Sequence, residues 1–309
     1  MIYTITLNPA VDYYIETKTK NNTPGQVIRA ENTLIRAGGK GINVGIILTR
    51  LGVPCKALGF IGGFTGDEVR YQCRKYQLNT SFIRIPAEKT RINVKLKGED
   101  KDTEINAPSP VIPSNIAAKL LKQVSVIEPG DIVVLSGSSP ASLTDNFYAQ
   151  ICSELHKGVL IAADLAGNAL KEVLPFNPFL IKPNHIELCE FLNAEITTDR
   201  DKLFHYAEKL ICHKGENSGA KNIIVSIGAE GAIMIDSAGT RRYQKAPNGN
   251  FSSAVGAGDS LVGGFIDGYI RYGDFGDALK RGVAAGSATA FSEWLADKQA
   301  IEAVYREMT

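Results

Sequence analysis

Nothing in these 309 residues is apolar for long enough to span a bilayer as a helix, although hydrophobic residues make up 44% of the chain. The apolar residues are there to fill a core, and a chain of this length can bury a large one. An excess of either charge is also missing: 34 Lys and Arg stand against 33 Asp and Glu, a formal net charge of +1. That balance supplies no general field for nucleic acid or an anionic membrane, so any anion site has to be built locally. Cysteine is sparse. Cys55, Cys73, Cys152, Cys189 and Cys212 form no C-x-x-C pair and read as free, buried thiols in a reducing compartment. The four histidines (His156, His185, His205, His213) show no metal-ligand spacing. Linker-like, repeated and low-complexity tracts are lacking too, so one domain is expected over 1–309. The opening MIYTITLNPAVDYYIE has neither a basic n-region nor a cleavage site; the expectation is a cytoplasmic protein with no membrane or nucleic-acid partner.

What the chain does contain is an alternation of short apolar runs with longer helical patterns. YTITL (3–7), DIVVLSGS (131–138), GVLIAADL (158–165), FLIKPN (179–184) and NIIVSIG (222–228) are nearly continuous apolar strands that stop at small or polar residues. GINVGIILTRLG (41–52) places Val44, Ile47, Leu48 and Leu51 on one helical face and closes with Gly52. Such alternation predicts a parallel sheet covered by helices on both faces. TRINVKLKGEDKDTEINAP (90–108) departs from it and reads as a half-polar hairpin, with Ile92, Val94 and Leu96 opposite Arg91, Asn93, Lys95 and Lys97. In open α/β sheets ligands sit beyond the carboxyl ends of the strands. Those ends carry Asn8, Ser136 to Ser138, Asp164, Lys182 to Asn184 and Ser226 to Gly228.

Two glycine-rich segments open helices. In SSAVGAGDSLVGGFIDGYI (252–270) the apolar spacing begins at Leu261, which puts Asp259 in a first helical turn beside free backbone N–H groups. In RAGGKGINVGI (36–46) Lys40 lies in the glycines and Asn43 one turn into the helix. Neither segment is G-x-G-x-x-G or a Walker A loop. Taken singly, each fits an ordinary tight turn before a helix. Together, one cationic and one carboxylate-bearing helix start suit two anionic ligands and a proton to be moved, as in phosphoryl transfer to a hydroxyl.

GGKGIN (38–43) and AVGAGDS (254–260) resemble the two signatures of the ribokinase/PfkB family of sugar kinases. KPNHIELCE (182–190), with its N-x-x-E of Asn184 and Glu187, and VSIGAEGA (225–232) match in order and spacing between them. TLNPAVDY, TRINVKLK, TEINAP and AAGSATAFSE are most similar to the 1-phosphofructokinases within that family, with tagatose-6-phosphate kinases as near neighbours. The resemblance implies a ribokinase-like three-layer α/β/α sandwich with a small β-sheet lid from roughly 11–37 and 90–107, and a homodimer joined through the lids. It implies ATP and Mg²⁺ as cosubstrates and a phosphosugar as acceptor. By the same resemblance Asp259 is the catalytic base, and Gly256, Ala257 and Gly258 form the anion hole. Asp12, Gly38, Gly39, Asn43 and Ser138 hold the sugar phosphate, with Arg29, Lys40 and Arg91 on its existing phosphate. Lys182, Asn184, Glu187, Ser226, Gly228 and Gly231 serve the nucleotide, Glu187 reaching the metal through water. A sugar-phosphate-binding regulator without turnover is the alternative of another class. Three positions depart from the family's usual pattern: Ala254, Ser139 and Trp294.

Overall fold

The computed structural model describes residues 1–18, 27–98, 102–212 and 218–308, and each of the apolar runs above forms a strand in it. In chain order the strands are β1 (Ile2–Thr6), β2 (Ala10–Glu16), β3 (Asn32–Gly38), β4 (Cys55–Ile61), β5 (Asn79–Thr80), β6 (Ile83–Arg84), β7 (Arg91–Lys97), β8 (Asp102–Ile105), β9 (Ile132–Ser136), β10 (Leu160–Asp164), β11 (Leu180–Ile181), β12 (Asn222–Ser226), β13 (Ala232–Asp236) and β14 (Arg241–Gln244). The helices are α1 (Lys40–Leu51), α2 (Gly63–Lys75), α3 (Ser114–Val124), α4 (Phe147–Glu154), α5 (Gly167–Val173), α6 (His185–Phe191), α7 (Arg200–Glu208), α8 (Ala257–Tyr272), α9 (Phe275–Ala290) and α10 (Lys298–Glu307).

The main sheet runs β14-β13-β12-β11-β10-β9-β1-β4-β5, with β6 also on β4. Pairing is parallel from β5 across to β12 and antiparallel for β12–β13 and β13–β14. Parallel neighbours need crossovers, which the helices supply. Side chains alternate between two cores. Val133 and Leu135 of β9 pack with Ile116, Tyr148 and Leu188 on one face. Ile132 and Val134 pack with Ile47, Phe265 and Val283 on the other. Both faces are therefore buried, which is why the strands read as continuous apolar runs rather than alternating ones. The three-layer α/β/α expectation matches this architecture.

A second sheet, β3-β2-β7-β8, stands apart. β2 pairs antiparallel with β3 and parallel with β7, and β7 pairs antiparallel with β8. The hairpin read at 90–108 is thus half of a four-stranded sheet. In its register Asp12 lies beside Asn93 and Arg36, and Val11 beside Ile92 and Ala37. One face is consequently polar and the other apolar.

Cys55, Cys73, Cys152 and Cys189 are buried free thiols, and Cys212 is partly buried. His156 and His205 are exposed and His185 is half-buried; His213 lies outside the described residues. No helix among the described residues is long and apolar enough to cross a membrane.

Candidate active site

Four charged groups meet where the parallel strands end. Asp164 closes β10, Lys182 follows β11, Lys40 opens α1, and Asp259 lies in the first turn of α8. The Asp164 carboxylate, 2% exposed, holds Lys182 Nζ at 3.2 Å and Lys40 Nζ at 3.5 Å. Burial works to raise the Asp164 pKa, but the two ammonium groups outweigh it and keep the carboxyl below the usual carboxylate range. Burial likewise opposes charge on Lys40, and the carboxylates of Asp164, Asp259 and Glu187 outweigh it, so its pKa is raised. Asp259 behaves in the opposite way. Burial, then repulsion from Asp164, pushes its pKa up to about 7, against the pull of Asn43 and the two lysines. Asn43 Nδ2 donates to Asp259 Oδ2 at 2.8 Å, fixing the direction in which the carboxylate points.

The start of α8 is shaped by Gly256, whose φ of 79° is left-handed. That backbone conformation favours glycine, and a Cβ there would also press on Leu295 Cδ2 at 2.5 Å. The Ala257 N–H donates to the Ala254 carbonyl at 3.2 Å, which leaves Gly258 as the neighbouring N–H without a backbone partner among the described residues. Lys182 Nζ sits 3.4 Å from the position a Gly258 Cβ would take. A free N–H, a helix N-terminus and a buried ammonium thus converge beside a carboxylate of tuned basicity.

The polar face of the second sheet closes the other side. Asp12 accepts from Asn93 Nδ2 at 3.0 Å, and burial leads the rise in its pKa. Gly38 stands opposite Asp12 with no side chain because a Cβ would overlap the Asp12 carboxylate. Arg91 is half-buried, with burial lowering its pKa, and its Nη2 donates to the Asn8 carbonyl at 3.1 Å. The solvated strand face that alternation alone suggests for Arg91 is not what forms. Asn8 Nδ2 donates to Ser109 Oγ at 2.7 Å and to Ser138 Oγ at 3.4 Å. Buried polar atoms without partners gather here: Asn8 Oδ1, Asn43 Oδ1, Asn93 Oδ1, Arg91 Nε, Ser136 Oγ and Ser139 Oγ. Buried polar groups are normally satisfied, so this cluster marks a place prepared for a polar ligand.

Asn184 and Glu187 form a reciprocal capping box on α6: Glu187 N–H donates to Asn184 Oδ1 at 2.8 Å, and Asn184 N–H donates to Glu187 Oε2 at 2.9 Å. Asn184 also bridges to Ser226 at the end of β12. There the chain turns through Gly228 and Gly231, both at positive φ, and Gly231 N–H donates to the Gly228 carbonyl at 3.1 Å. Gly39 caps α1 at φ 132°. Arg29 is exposed in the segment before β3, apart from the cluster that unites Lys40, Asn43, Lys182 and Asp259. Trp294 packs on Tyr76 with ring centroids 4.8 Å apart, between the guanidinium groups of Arg36 and Arg50.

Sequence reasoning placed Asn8 and Asp164 among the polar strand ends where a ligand would sit but gave neither a role, and it did not single out Asn93 as a site residue. Asp164 carried a signal, being an acid at the end of an otherwise apolar strand. The polar roles of Asn8 and Asn93 depend on pairing between segments more than 80 residues apart.

Residues 6–297 match the model of the pfkB family of carbohydrate kinases. The chain is 39% identical to the 1-phosphofructokinase of Bacillus subtilis, covering 100% of this chain and 98% of that one. Identity to the 1-phosphofructokinase of Borreliella burgdorferi is also 39%, over 98% and 95% of the two chains. A D-tagatose-1-phosphate kinase of Bacillus licheniformis is 30% identical over 96% of this chain and 95% of its own. Among solved structures, Escherichia coli phosphofructokinase-2 in complex with substrates and products superposes with a TM-score of 0.91, at 28% identity over 99% of both chains. Ribokinase from Thermotoga maritima shares the fold, with a TM-score of 0.78 at 18% identity over 99% of both chains. With a family match over residues 6–297 and relatives at this identity, the chain belongs to the pfkB family of carbohydrate kinases, on a ribokinase-like fold.

Proposed function

We propose that this kinase transfers the terminal phosphoryl group of ATP to the C6 hydroxyl of fructose 1-phosphate, giving fructose 1,6-bisphosphate and ADP. The observation that carries the reading is Asp259: a buried carboxylate whose pKa is pushed up to about 7, aimed by Asn43, beside the free start of α8. A group of that basicity is basic enough to take a proton from a hydroxyl and is still substantially deprotonated at and above neutrality. The Gly258 N–H, with Gly256 and Ala257 shaping the turn, and Lys182 face the charge that develops on the transferring group.

Asp12, Asn93 and the space beside Gly38 suit sugar hydroxyls. Arg91 and Arg29, whose guanidinium groups match phosphate oxygens bidentately, and Lys40, as a point charge, are assigned to the phosphate the sugar already carries. Ser226, Gly228 and Gly231 are assigned to the nucleotide. Among the described residues no three His, Cys, Asp or Glu side chains converge on one point that could hold a metal unaided. Mg²⁺ would therefore arrive with the triphosphate, and Glu187, whose Oε2 is engaged in the capping box, would present its other oxygen to the metal's water. Mg²⁺ would neutralise charge between the phosphoryl groups. The apolar face of the second sheet, which includes exposed Ile35, Ile92 and Ile105, is assigned to the lid of a second copy in a homodimer.

The relative named for D-tagatose 1-phosphate supports a phosphate at C1, since that sugar keeps the same phosphate and the same C6 hydroxyl and differs at C4. Tagatose 6-phosphate would exchange the two ends. A regulator without turnover would not need Asp259 at this basicity. The test is ADP release with fructose 1-phosphate, tagatose 1-phosphate, tagatose 6-phosphate, fructose 6-phosphate and fructose. Fructose 1-phosphate should give the highest kcat/KM, and Arg91→Ala should raise its KM strongly while the KM for ATP stays nearly constant. A preference for unphosphorylated sugar would overturn the phosphosugar assignment.

A further inference from the structure

Behind the loop that ends β9, Tyr148 of α4 is fully buried and uses its hydroxyl on two main-chain carbonyls. The hydroxyl lies 3.0 Å from Gly137 O and 3.2 Å from Ser136 O. Burial, then the neighbouring Asp164 carboxylate, raises the phenol pKa, so the group stays a donor. The consequence lies in the peptide that follows. In a trans peptide the C=O and N–H point in opposite directions. With the Gly137 carbonyl turned into the core toward Tyr148, the Ser138 N–H is turned away from it, on the exposed side of the loop. That N–H has no partner among the described residues. Gly137 makes the turn possible at φ 90°.

The side it faces is the polar one. A Cβ on Gly137 would come within 3.9 Å of Lys40 Cβ. Asn8 joins the same loop to Arg91, its Nδ2 reaching Ser138 Oγ at 3.4 Å and its carbonyl accepting from Arg91 at 3.1 Å. Ser136 Oγ and Ser139 Oγ, on either side, are buried without partners, as Asn8 Oδ1 is. A loop built only for structure would not leave three polar atoms unmet around one outward N–H.

We propose that Tyr148 is a positioning residue for the phosphosugar: by holding the Gly137 carbonyl inward it presents the Ser138 N–H, together with Arg91, to the substrate's existing phosphate. The inference rests on the phosphosugar reading above and adds to it a backbone donor and the buried side chain that aims it. Without the phenol, the 137–138 peptide loses its anchor, and a donor to an anion is lost or misdirected.

The experiment compares Tyr148→Phe with the wild type using fructose 1-phosphate, fructose and ATP as varied substrates. Tyr148→Phe should lower kcat/KM for fructose 1-phosphate about 10–100-fold, the effect of one hydrogen bond to a charged group. For fructose, which has no phosphate to meet the N–H, kcat/KM should change less than about threefold, and the KM for ATP should hold equally well. If Tyr148→Phe is not obtained folded, Ser138→Pro removes the N–H directly and should shift the same ratio in the same direction. An unchanged ratio of the two sugars in the folded variant, with only a lower melting temperature, would overturn the proposal. Failure of the phosphosugar reading itself shows separately, as a wild type that does not prefer fructose 1-phosphate to fructose.

Discussion

At the scale of single residues, Asp259 combines two consequences of one environment. Burial, followed by the charge of Asp164, raises its pKa to about 7. In the proposed role of base Asp259 acts only when deprotonated, so kcat/KM for the acceptor should climb with pH and level off above about 7. For stability the sign is reversed. A carboxyl whose folded pKa lies above its unfolded value stabilises the fold fully below the unfolded pKa, and that contribution is lost as pH rises through about 7. Asp259→Asn keeps an acceptor for Asn43 and removes the charge. It should cut kcat by about 10²–10⁴-fold, yet melt higher than the wild type at pH 8, by a margin that shrinks at pH 5. Near-wild-type turnover would remove Asp259 from the chemistry. An unchanged melting difference between the two pH values would mean that its carboxyl is not strained in the fold.

At the scale of elements, the second sheet explains why a hairpin with a continuous apolar face survives in solution. Two-residue alternation gives β2, β3 and β7 one face of Asp12, Arg36, Arg91 and Asn93 and another of Val11, Ile35, Ile92 and Val94. The polar face is occupied with the site, so the apolar one is left outward, with Ile92 39% and Ile105 59% exposed. If this face meets a second copy as proposed, Ile92→Glu should convert a dimeric wild type to a monomer, measured by light scattering at micromolar concentration, because a charge in the centre of such a face is not matched across a twofold. A wild type that is monomeric at that concentration would end the assignment of this face to a second copy. Much of this was legible in the sequence. The alternation in TRINVKLK marks two faces, and the apolar runs at 131–138, 158–165 and 222–228 mark strands covered on both sides. β2 and β3 were legible only through family resemblance, because AVDYYIE and NTLIRAG have no clean period of their own. Within the site, residues beside a glycine signature stood out, Asp259 and Lys40 above all. Asp164 and Asn8 showed only as polar strand ends without a role, since what they do depends on contacts between distant segments that no local pattern encodes.

At the scale of the whole molecule, the helix that carries Asp259 is anchored at the end opposite that residue. Asp267 lies two turns beyond Asp259 on α8 and is completely buried. It accepts from Arg271 Nε at 2.6 Å and from Arg281 of α9, and Arg281 Nη2 reaches Glu302 of α10 at 2.7 Å. Arg271 Nη2 also donates to the Leu51 carbonyl at the end of α1, at 2.9 Å. Four helices of one layer are thus joined through a single carboxylate, and two of them, α1 and α8, carry Lys40 and Asp259 at their other ends. An ion network of this kind adds little net stability when intact, because its charges were desolvated to form it, but it is costly to break from one side. Asp267→Ala would leave the Arg281 guanidinium 1% exposed with Glu302 as its remaining carboxylate. We expect a loss of about 3–5 kcal/mol, read in urea as a lower midpoint with an unchanged slope. Assayed at a temperature where it is still folded, the variant should keep the wild-type preference among phosphosugars, since none of the groups that read the sugar belongs to the network. A variant that melts normally but turns over slowly would assign the network a different role, setting the angle at which α8 delivers Asp259 to the hydroxyl rather than holding the layer together.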